Sequence, residues 1–414
     1  MNSFSWIFVA ALVSSVGIRV WLAGRQIRSV SAHRDRVPAA FAGTIPAPAH
    51  QRAADYTLGK TRQGRLEVIY DAVLLLGWTL GGGLQWLDDL WQMTGWGPIN
   101  TGVAMLLSAF AIMALLELPF SLYHTFVLEA RFGFNKTTPG TFAADLLKQA
   151  LLMLLLGAPL AWAALWLMQE SGSLWWFYLW LLWAGFSLLM LWAYPAVIAP
   201  LFNRFTQLDN EQLKQRIQAL LDRCGFKSKS IYVMDGSRRS GHGNAYFTGM
   251  GHNKRIVFFD TLLATLDADE IEAVLAHELG HFKRRHVQKR IAIMMLSSLA
   301  GLALLGWLIQ QPWFYQGLGV TQPSNHLALL LFLMVIPVFT LFLQPLASWF
   351  SRKHEFEADD YAASQAGAAG LVRALVKLYR ENASTLTPDP LYSAFYDSHP
   401  PAPVRVAHLS TKLG

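Results

Sequence analysis

The segment AVLAHELGHFKRRH, Ala273–His286, contains two histidines and a glutamate in the pattern His-Glu-x-x-His. On a helix, residues four apart share one face about one turn apart, so His277 and His281 would present their imidazoles side by side. Asp267, followed three residues later by Glu270, matches a capping box. The sequence therefore predicts a helix that begins just after Asp267 and carries both histidines.

Two neutral imidazoles at this spacing suit zinc, which accepts nitrogen and oxygen ligands in a tetrahedral arrangement. Glu278 would lie beside the ion, where it can take a proton from activated water. The pattern alone is suggestive, because an exposed polar helix can match it by chance. A catalytic zinc site also needs a third protein ligand and one position left open for water.

The candidate third ligand lies in SRKHEFEADDYAA, Ser351–Ala363. Glu355 and Glu357 lie about 200° apart around a helix, so both cannot face the same ion. His281 lies just before the sixth apolar run of the chain, and Glu355 lies just after the seventh. A hairpin through the membrane would return the chain to the same surface, roughly 8–14 Å beyond it, and bring the two residues together.

The composition indicates a membrane protein, because 53% of the residues are hydrophobic and only 15% are charged. Soluble domains usually carry about 25% charged residues. Seven apolar runs approach the roughly 20 residues that a transmembrane helix needs, and Pro195, Pro337 and Pro345 predict kinks in two of them. The predicted spans are Phe4–Ala23, Val68–Leu90, Gly102–Tyr123, Ala150–Met168, Leu174–Ala199, Ile291–Ile309 and Leu327–Phe350.

The basic residues predict how the chain is oriented. Of the 34 lysines and arginines, all but Arg19 lie in alternate loops, which is the positive-inside pattern. Arg19 lies near the inner end of the first span, where it can snorkel to the interface. The amino terminus is therefore predicted outside and both polar blocks in the cytoplasm, and the net charge of +7 requires no nucleic acid.

The chain is accordingly divided into four predicted parts. The first contains five membrane helices with cytoplasmic loops, the second the His-Glu-x-x-His segment, the third the sixth and seventh helices, and the fourth the third ligand. Their boundaries are residues 1–203, 204–290, 291–350 and 351–414.

Within the second part, SIYVMDG, NAYFTGMG and KRIVFFD predict short strands. NEQLKQRIQALLDRCG predicts a helix ended by Gly225. His242 and His252 lie in turn-rich sequence and are interpreted as loop residues, with substrate contact as the less favoured reading. The single cysteine, Cys224, excludes a disulfide framework and a Cys-rich metal site.

Four further segments extend the pattern over most of the chain. They are ELPFSLYHTFVLEARFGFNKTTPGTF, RRSGHGNAYFTG, SRKHEFEAD and DSHPPAPVRV. Together with His-Glu-Leu-Gly-His they resemble the Ste24-type, M48-family integral-membrane zinc metalloproteases, also called CAAX prenyl protease 1. The resemblance implies a mainly α, polytopic membrane protein with seven transmembrane helices around a water-filled chamber. A gluzincin-like zinc metalloprotease domain containing a small β-sheet would close one side.

The resemblance also implies roles for individual residues. His277, His281 and Glu355 would hold one Zn²⁺ per chain, and Glu278 would act as general base. Five more site residues follow from the same resemblance. Asp359 would either donate a proton or orient a ligating imidazole, Asn244 and Ala245 would pair with an extended substrate, and His399 and Arg405 would lie near the developing oxyanion.

The sequence therefore predicts a zinc metalloendopeptidase whose substrate class, by resemblance, is prenylated proteins ending in Cys-aliphatic-aliphatic-X. The alternative is a membrane-protein quality-control protease without a prenyl requirement. A non-catalytic chamber protein or transporter is disfavoured, because Glu278 and all three ligands are present. The expected partners are a peptide or lipidated protein and the lipid bilayer, with no nucleic acid, and the expected state is monomeric.

The expected location is a bacterial inner membrane, because the loops are compact and the final STKLG carries no retention signal. The first apolar run is expected to be a retained anchor. His286 is interpreted as a solvated or interfacial residue, and His354 and Glu357 as helix-surface groups. Asp71 and Glu117 are expected to line the chamber, with an interfacial position as the alternative for Glu117.

Overall fold

The computed structural model describes residues 1–226, 230–248 and 255–412, so His252 lies outside the described residues. Helices make up most of this part of the chain. They are α1 (Ser3–Ala32), α2 (Ala47–Trp78), α3 (Gly83–Gln92), α4 (Pro98–Tyr123), α5 (Pro139–Leu152), α6 (Ala158–Glu170), α7 (Trp175–Ala193), α8 (Ala199–Phe202), α9 (Glu211–Arg223), α10 (Asp260–Thr265), α11 (Ala268–Lys283), α12 (His286–Leu308), α13 (Pro312–Gly317), α14 (Asn325–Thr340), α15 (Gln344–Ala366), α16 (Ala368–Glu381), α17 (Pro390–Tyr396) and α18 (Ala402–Ser410). The strands are β1 (Phe205–Gln207), β2 (Ser230–Met234), β3 (Ala245–Thr248) and β4 (Arg255–Phe259).

Six helical segments of the described chain are long and apolar enough to cross a membrane, and a seventh is reached if α2 and α3 count as one bent span. Their outer faces expose large apolar side chains, including Leu115, Leu155 and Leu296. Contiguous apolar surface of this kind needs a partner or lipid to cover it. The predicted membrane architecture is therefore confirmed.

The second predicted span, Val68–Leu90, is not one straight helix. α2 ends at Trp78, and α3 begins at Gly83 after a bend of 47°. Gly82, the residue that precedes α3, has φ 79°, a left-handed conformation that glycine adopts without steric cost. The three consecutive glycines at 81–83 thus divide this span.

The predicted proline irregularities are present. Pro195 lies in a π-helical turn, Tyr194–Ile198, and Pro337 lies inside α14. One 3₁₀ turn, Leu341–Leu343, joins α14 to α15. Together they form a helical run of 42 residues, Asn325–Ala366. Glu355 is therefore carried on the extension of the last membrane span.

A four-stranded sheet supports the helix of the His-Glu-x-x-His segment. The strand order is β1-β2-β4-β3, with β2 and β4 parallel and the other pairs antiparallel. The three predicted strands are confirmed as β2, β3 and β4, and α9 ends before Gly225 as predicted. Buried apolar side chains of α9, β4 and α11, such as Ile217, Phe258 and Leu275, form one core.

Three adjoining cavities lie among the helices, with volumes of about 750, 260 and 470 Å³. The first and second share Arg19 and Val68, and the second and third share Asp71 and Glu117. Both acidic residues therefore line the interior of the helical bundle, as predicted. Arg19 also lines it, while its predicted approach to the membrane interface stays a prediction.

Candidate metal centre

The helix that carries the two histidines begins as predicted. The Asp267 carboxylate accepts a hydrogen bond from the backbone N–H of Glu270 at 3.0 Å, and the Glu270 carboxylate accepts one from the Asp267 N–H at 2.9 Å. Glu270 is fully buried, and Nζ of Lys377 donates to its Oε2 at 2.6 Å. This charged pair ties the first turn of α11 to α16.

The structure brings His277, His281 and Glu355 together, with one ligand atom from each lying within 4.8 Å of the others. The two Nε2 atoms are 3.2 Å apart. The Glu355 oxygens lie 3.2 Å from Nε2 of His281 and 3.5 Å from Nε2 of His277. Zinc–ligand bonds of about 2.0–2.1 Å at tetrahedral angles separate ligand atoms by about 3.3 Å. The spacing of the three side chains therefore fits zinc.

The oxygen Oε2 of Glu355 provides a second test of that fit. It is buried and accepts no well-aligned hydrogen bond from the described residues, although Nδ1 of His399 lies 2.7 Å away and Nη1 of Arg405 lies 3.6 Å away. A buried carboxylate oxygen without such a bond is costly unless a cation satisfies it. The donor set of two imidazoles and one carboxylate matches catalytic zinc sites.

A buried ion pair orients His277. Its Nδ1 atom lies 2.8 Å from Oδ1 of Asp359 and 3.3 Å from Nη2 of Arg405. A proton on Nδ1 directed at the carboxylate would leave the Nε2 lone pair facing His281 and Glu355. Arg405 donates to both Asp359 oxygens, at 2.9 and 2.5 Å. Burial and Arg405 act to lower the pKa of His277, but Asp359 and Glu355 outweigh them and raise it to about 9.

His281 has a different partner, which the sequence reading missed. Its Nδ1 atom lies 2.9 Å from Nδ1 of His286, whose Nε2 lies 3.0 Å from Oε2 of Glu357. His286 is 1% exposed and stacks on His354, with ring centroids 4.0 Å apart. The expectation of a solvated His286 was therefore wrong, and Glu357 and His354 contact it rather than standing free on the helix surface.

These contacts select the tautomer of His281. The nitrogen of His286 that faces Glu357 donates its proton to that carboxylate, which leaves Nδ1 of a neutral His286 as an acceptor. His281 then donates Nδ1–H to His286 and keeps its Nε2 lone pair free for the metal. Both imidazoles are therefore held with Nε2 toward the candidate site.

A break in the helix explains why periodicity did not reveal this contact. α11 ends at Lys283, and Arg285 adopts φ 58°, a left-handed conformation that is uncommon for a residue with a Cβ atom. The turn carries His286 back against His281. On an uninterrupted helix, residues five apart lie about 140° from each other and would not meet.

Glu278 follows His277 on α11, and His399 approaches Glu355. Glu278 is partly exposed and makes no ion pair or hydrogen bond with another residue in the described ranges. The side chain of His399 is 64% exposed, although its Nδ1 approaches Glu355. Both side chains are accessible to a substrate in a way that the buried ligands are not.

The predicted substrate strand lies at an edge of the sheet. Ala245 of β3 pairs with Phe258 of β4, and no described strand pairs with the other side of β3. The carbonyl of Asn244 accepts the Phe259 N–H at 2.9 Å. An unpaired strand edge is suited to binding an extended peptide by strand addition.

Comparison with known families agrees with this architecture in both halves of the chain. Residues 26–204 match the CAAX prenyl protease N-terminal domain of five membrane helices, and residues 207–413 match peptidase family M48.

Whole-chain relatives show the same likeness. The CAAX prenyl protease 1 homolog of Oryza sativa subsp. japonica is 37% identical over 90% of each chain. The Homo sapiens homolog is 31% identical, with 98% of this chain and 95% of the relative covered. The crystal structure of S. mikatae Ste24p matches with a TM-score of 0.90 at 29% identity and covers 99% of each chain. The chain therefore belongs to the CAAX prenyl protease 1 group of peptidase family M48, the membrane metalloproteases of the Ste24 type.

Proposed function

We propose that the chain is a zinc-dependent endopeptidase in which His277, His281 and Glu355 hold the metal. The observation that carries this proposal is the 3.2–3.5 Å spacing of their ligand atoms. Zinc bound there would supply Lewis-acid activation of water, whose pKa falls to about 7 on a catalytic zinc ion.

Glu278 is the general base in this proposal. Its partly exposed carboxylate has no internal partner among the described residues, so it is free to accept a proton from the attacking water. The same group then returns the proton to the leaving amine. Its position next to His277 on α11 keeps it beside the ligands without making it one of them.

Asp359 is assigned the orientation of His277 rather than proton donation. It is fully buried, and its carboxylate oxygens contact the His277 ring and accept hydrogen bonds from Arg405. Arg405 in turn holds Asp359, and direct contact of Arg405 with substrate stays a prediction. His399 is proposed to donate to the developing oxyanion, because its exposed ring reaches the ligand cluster.

The proposed substrate is a peptide or lipidated protein that adds a strand to β3 beside Asn244 and Ala245. The relatives bear the name CAAX prenyl protease 1, which supports cleavage near the carboxyl terminus of prenylated proteins. Mapping the cut sites on prenylated peptides and on misfolded membrane proteins separates this activity from quality control. One cut after the prenylated cysteine supports CAAX processing, and scattered cuts support quality control.

The topology remains a proposal based on the alternation of basic loops, with the active site on the cytoplasmic side and the amino terminus outside. The four-part division at residues 203, 290 and 350 is proposed on the same sequence grounds, and a monomeric state stays an expectation. The relatives named above are eukaryotic, so they give no support to the predicted bacterial inner membrane.

The test combines metal analysis with peptide cleavage by purified protein in detergent. Wild type is expected to hold one zinc ion per chain, to lose activity with a chelator and to regain it with zinc. Glu278→Gln is expected to keep the zinc and to lose cleavage by a factor of about 10² or more. Cleavage by Glu278→Gln at the wild-type rate would remove Glu278 from the mechanism.

A zinc-free wild type that remains fully active would overturn the metal assignment. His277→Ala is the matched control, because it is expected to lose metal and activity together, whereas Glu278→Gln loses only activity.

A further inference from the structure

The largest of the three cavities, about 750 Å³, adjoins the metal centre, and we call it the vestibule. His399 lines it, and Nδ1 of His399 lies 2.7 Å from Oε2 of Glu355. A peptide bound at the ligands therefore has this cavity beside it. Its volume is within the range of about 300–1,000 Å³ that small-molecule sites occupy.

One wall of the vestibule is cationic. Helix α2 contributes two cationic side chains to this wall, Lys60 and Arg65. Helix α1 contributes a third, Arg19. Among the described residues that line the cavity, Asp397 is the only carboxylate. The wall thus carries more positive charge than its own acidic group neutralises.

The α2 cations have no anionic partner of their own. Arg65 is half-buried and makes no ion pair or hydrogen bond within the described part of the chain. The ammonium of Lys60 lies 5.0 Å from the ring centroid of Tyr56, a contact that leaves its charge available to an anion. Arg19, inside a predicted membrane span, is a costly position for a cation and marks a functional interior.

The carboxy-terminal region contributes further lining residues. Tyr379 of α16 and Tyr392 and Tyr396 of α17 face the cavity. Aromatic rings from this region and cations on α2 suit a ligand with apolar side chains and one anionic end. A short peptide with a free carboxyl terminus has this chemistry.

We propose that Arg65 and Lys60 bind the terminal carboxylate of the substrate while the residues after the cleaved bond lie in the vestibule. The proposal rests on the proposed peptidase function and deepens it. Three extended residues span at most about 10–11 Å, a length that a cavity of this volume accommodates. An arginine guanidinium can hold a carboxylate through two parallel hydrogen bonds, and the lysine adds a point charge. The site would therefore select bonds close to the end of a chain.

The test uses one peptide sequence in two forms, with a free carboxyl terminus and with a terminal amide. Wild type is expected to cleave the acid with a kcat/KM about 10- to 100-fold higher than the amide, mainly through a lower KM. Arg65→Gln is expected to reduce kcat/KM for the acid to near the amide value and to leave the amide unchanged. Arg65→Lys should restore part of the difference.

Arg62→Gln is the matched control, because Arg62 is an exposed residue of the same helix that does not line the vestibule. It is expected to preserve the preference for the acid. Equal cleavage of acid and amide by wild type would overturn the carboxylate site while leaving the peptidase intact. An equal loss on both peptides in Arg65→Gln would also overturn it.

A binding measurement distinguishes failure of the carboxylate site from failure of the proposed peptidase function. Fluorescence anisotropy of both peptides with Glu278→Gln needs no turnover. Tighter binding of the acid, abolished by adding Arg65→Gln, supports the carboxylate site even if cleavage is never detected. Equal binding of the acid and the amide would overturn the proposed carboxylate site.

Discussion

The backbone of Gly280 lies directly against the backbone of Ala358. A Cβ atom on Gly280 would stand 2.9 Å from Cα and 3.1 Å from the carbonyl oxygen of Ala358. Gly280 lies between His277 and His281 on α11, and Ala358 lies one turn after Glu355 on α15. The missing side chain therefore allows the two helices to approach closely enough for the three proposed ligands to meet.

Gly280→Ala is expected to weaken metal binding by at least about tenfold, because the added methyl group meets backbone rather than a flexible side chain. Overpacking of this kind costs about 1–3 kcal/mol. Zinc competition with a chromophoric chelator measures the change. Gly185→Ala is the control, since a Cβ atom there meets nothing within 4 Å. If Gly280→Ala bound zinc as tightly as wild type, the two helices could separate without weakening metal binding.

His286→Phe is expected to lower zinc affinity by about 10- to 100-fold, the range typical of groups that orient a ligating histidine. Phenylalanine fills the buried position but cannot accept the proton of His281 Nδ1. The measurement is zinc affinity together with kcat at saturating zinc. His408→Phe is the control, because His408 pairs with Asp360 instead. An unchanged affinity would mean that His281 needs no partner at Nδ1.

Asp359→Asn separates the two roles considered for Asp359. If Asp359 orients His277, zinc affinity falls about tenfold or more while kcat at saturating zinc stays near wild type. If it donates a proton, kcat falls and the affinity does not. We expect the first result, because both Asp359 oxygens are occupied by His277 and Arg405. Asp360→Asn, at the next position, should change neither quantity.

Zinc binding is expected to strengthen as the pH rises from about 6.5 to about 9. The pKa of His277 is raised to about 9 by Asp359 and Glu355 despite burial and Arg405. Below that pH the imidazole carries a proton that the metal must displace, and above it the proton is already lost. Calorimetry in buffers of different ionisation enthalpy counts the released proton. A constant affinity across this range would contradict a protonated His277.

Much of the architecture could be predicted because it depends on local or one-dimensional properties. Membrane spans follow from the length of apolar runs, and the start of α11 follows from Asp267 and Glu270. The second span was predicted less well. Three adjacent glycines allowed a left-handed residue at Gly82, and hydropathy alone does not register a bend.

The contacts around the ligands required the tertiary structure. The spacing of His277 and His281 implies a metal-binding pair from sequence alone, because helical geometry places residues four apart on one face. The partner of His281 depends on the turn at Arg285, and the approach of Glu355 depends on the packing of Gly280 against Ala358. Periodicity describes a residue's position on its own helix, whereas these contacts depend on how separate helices meet.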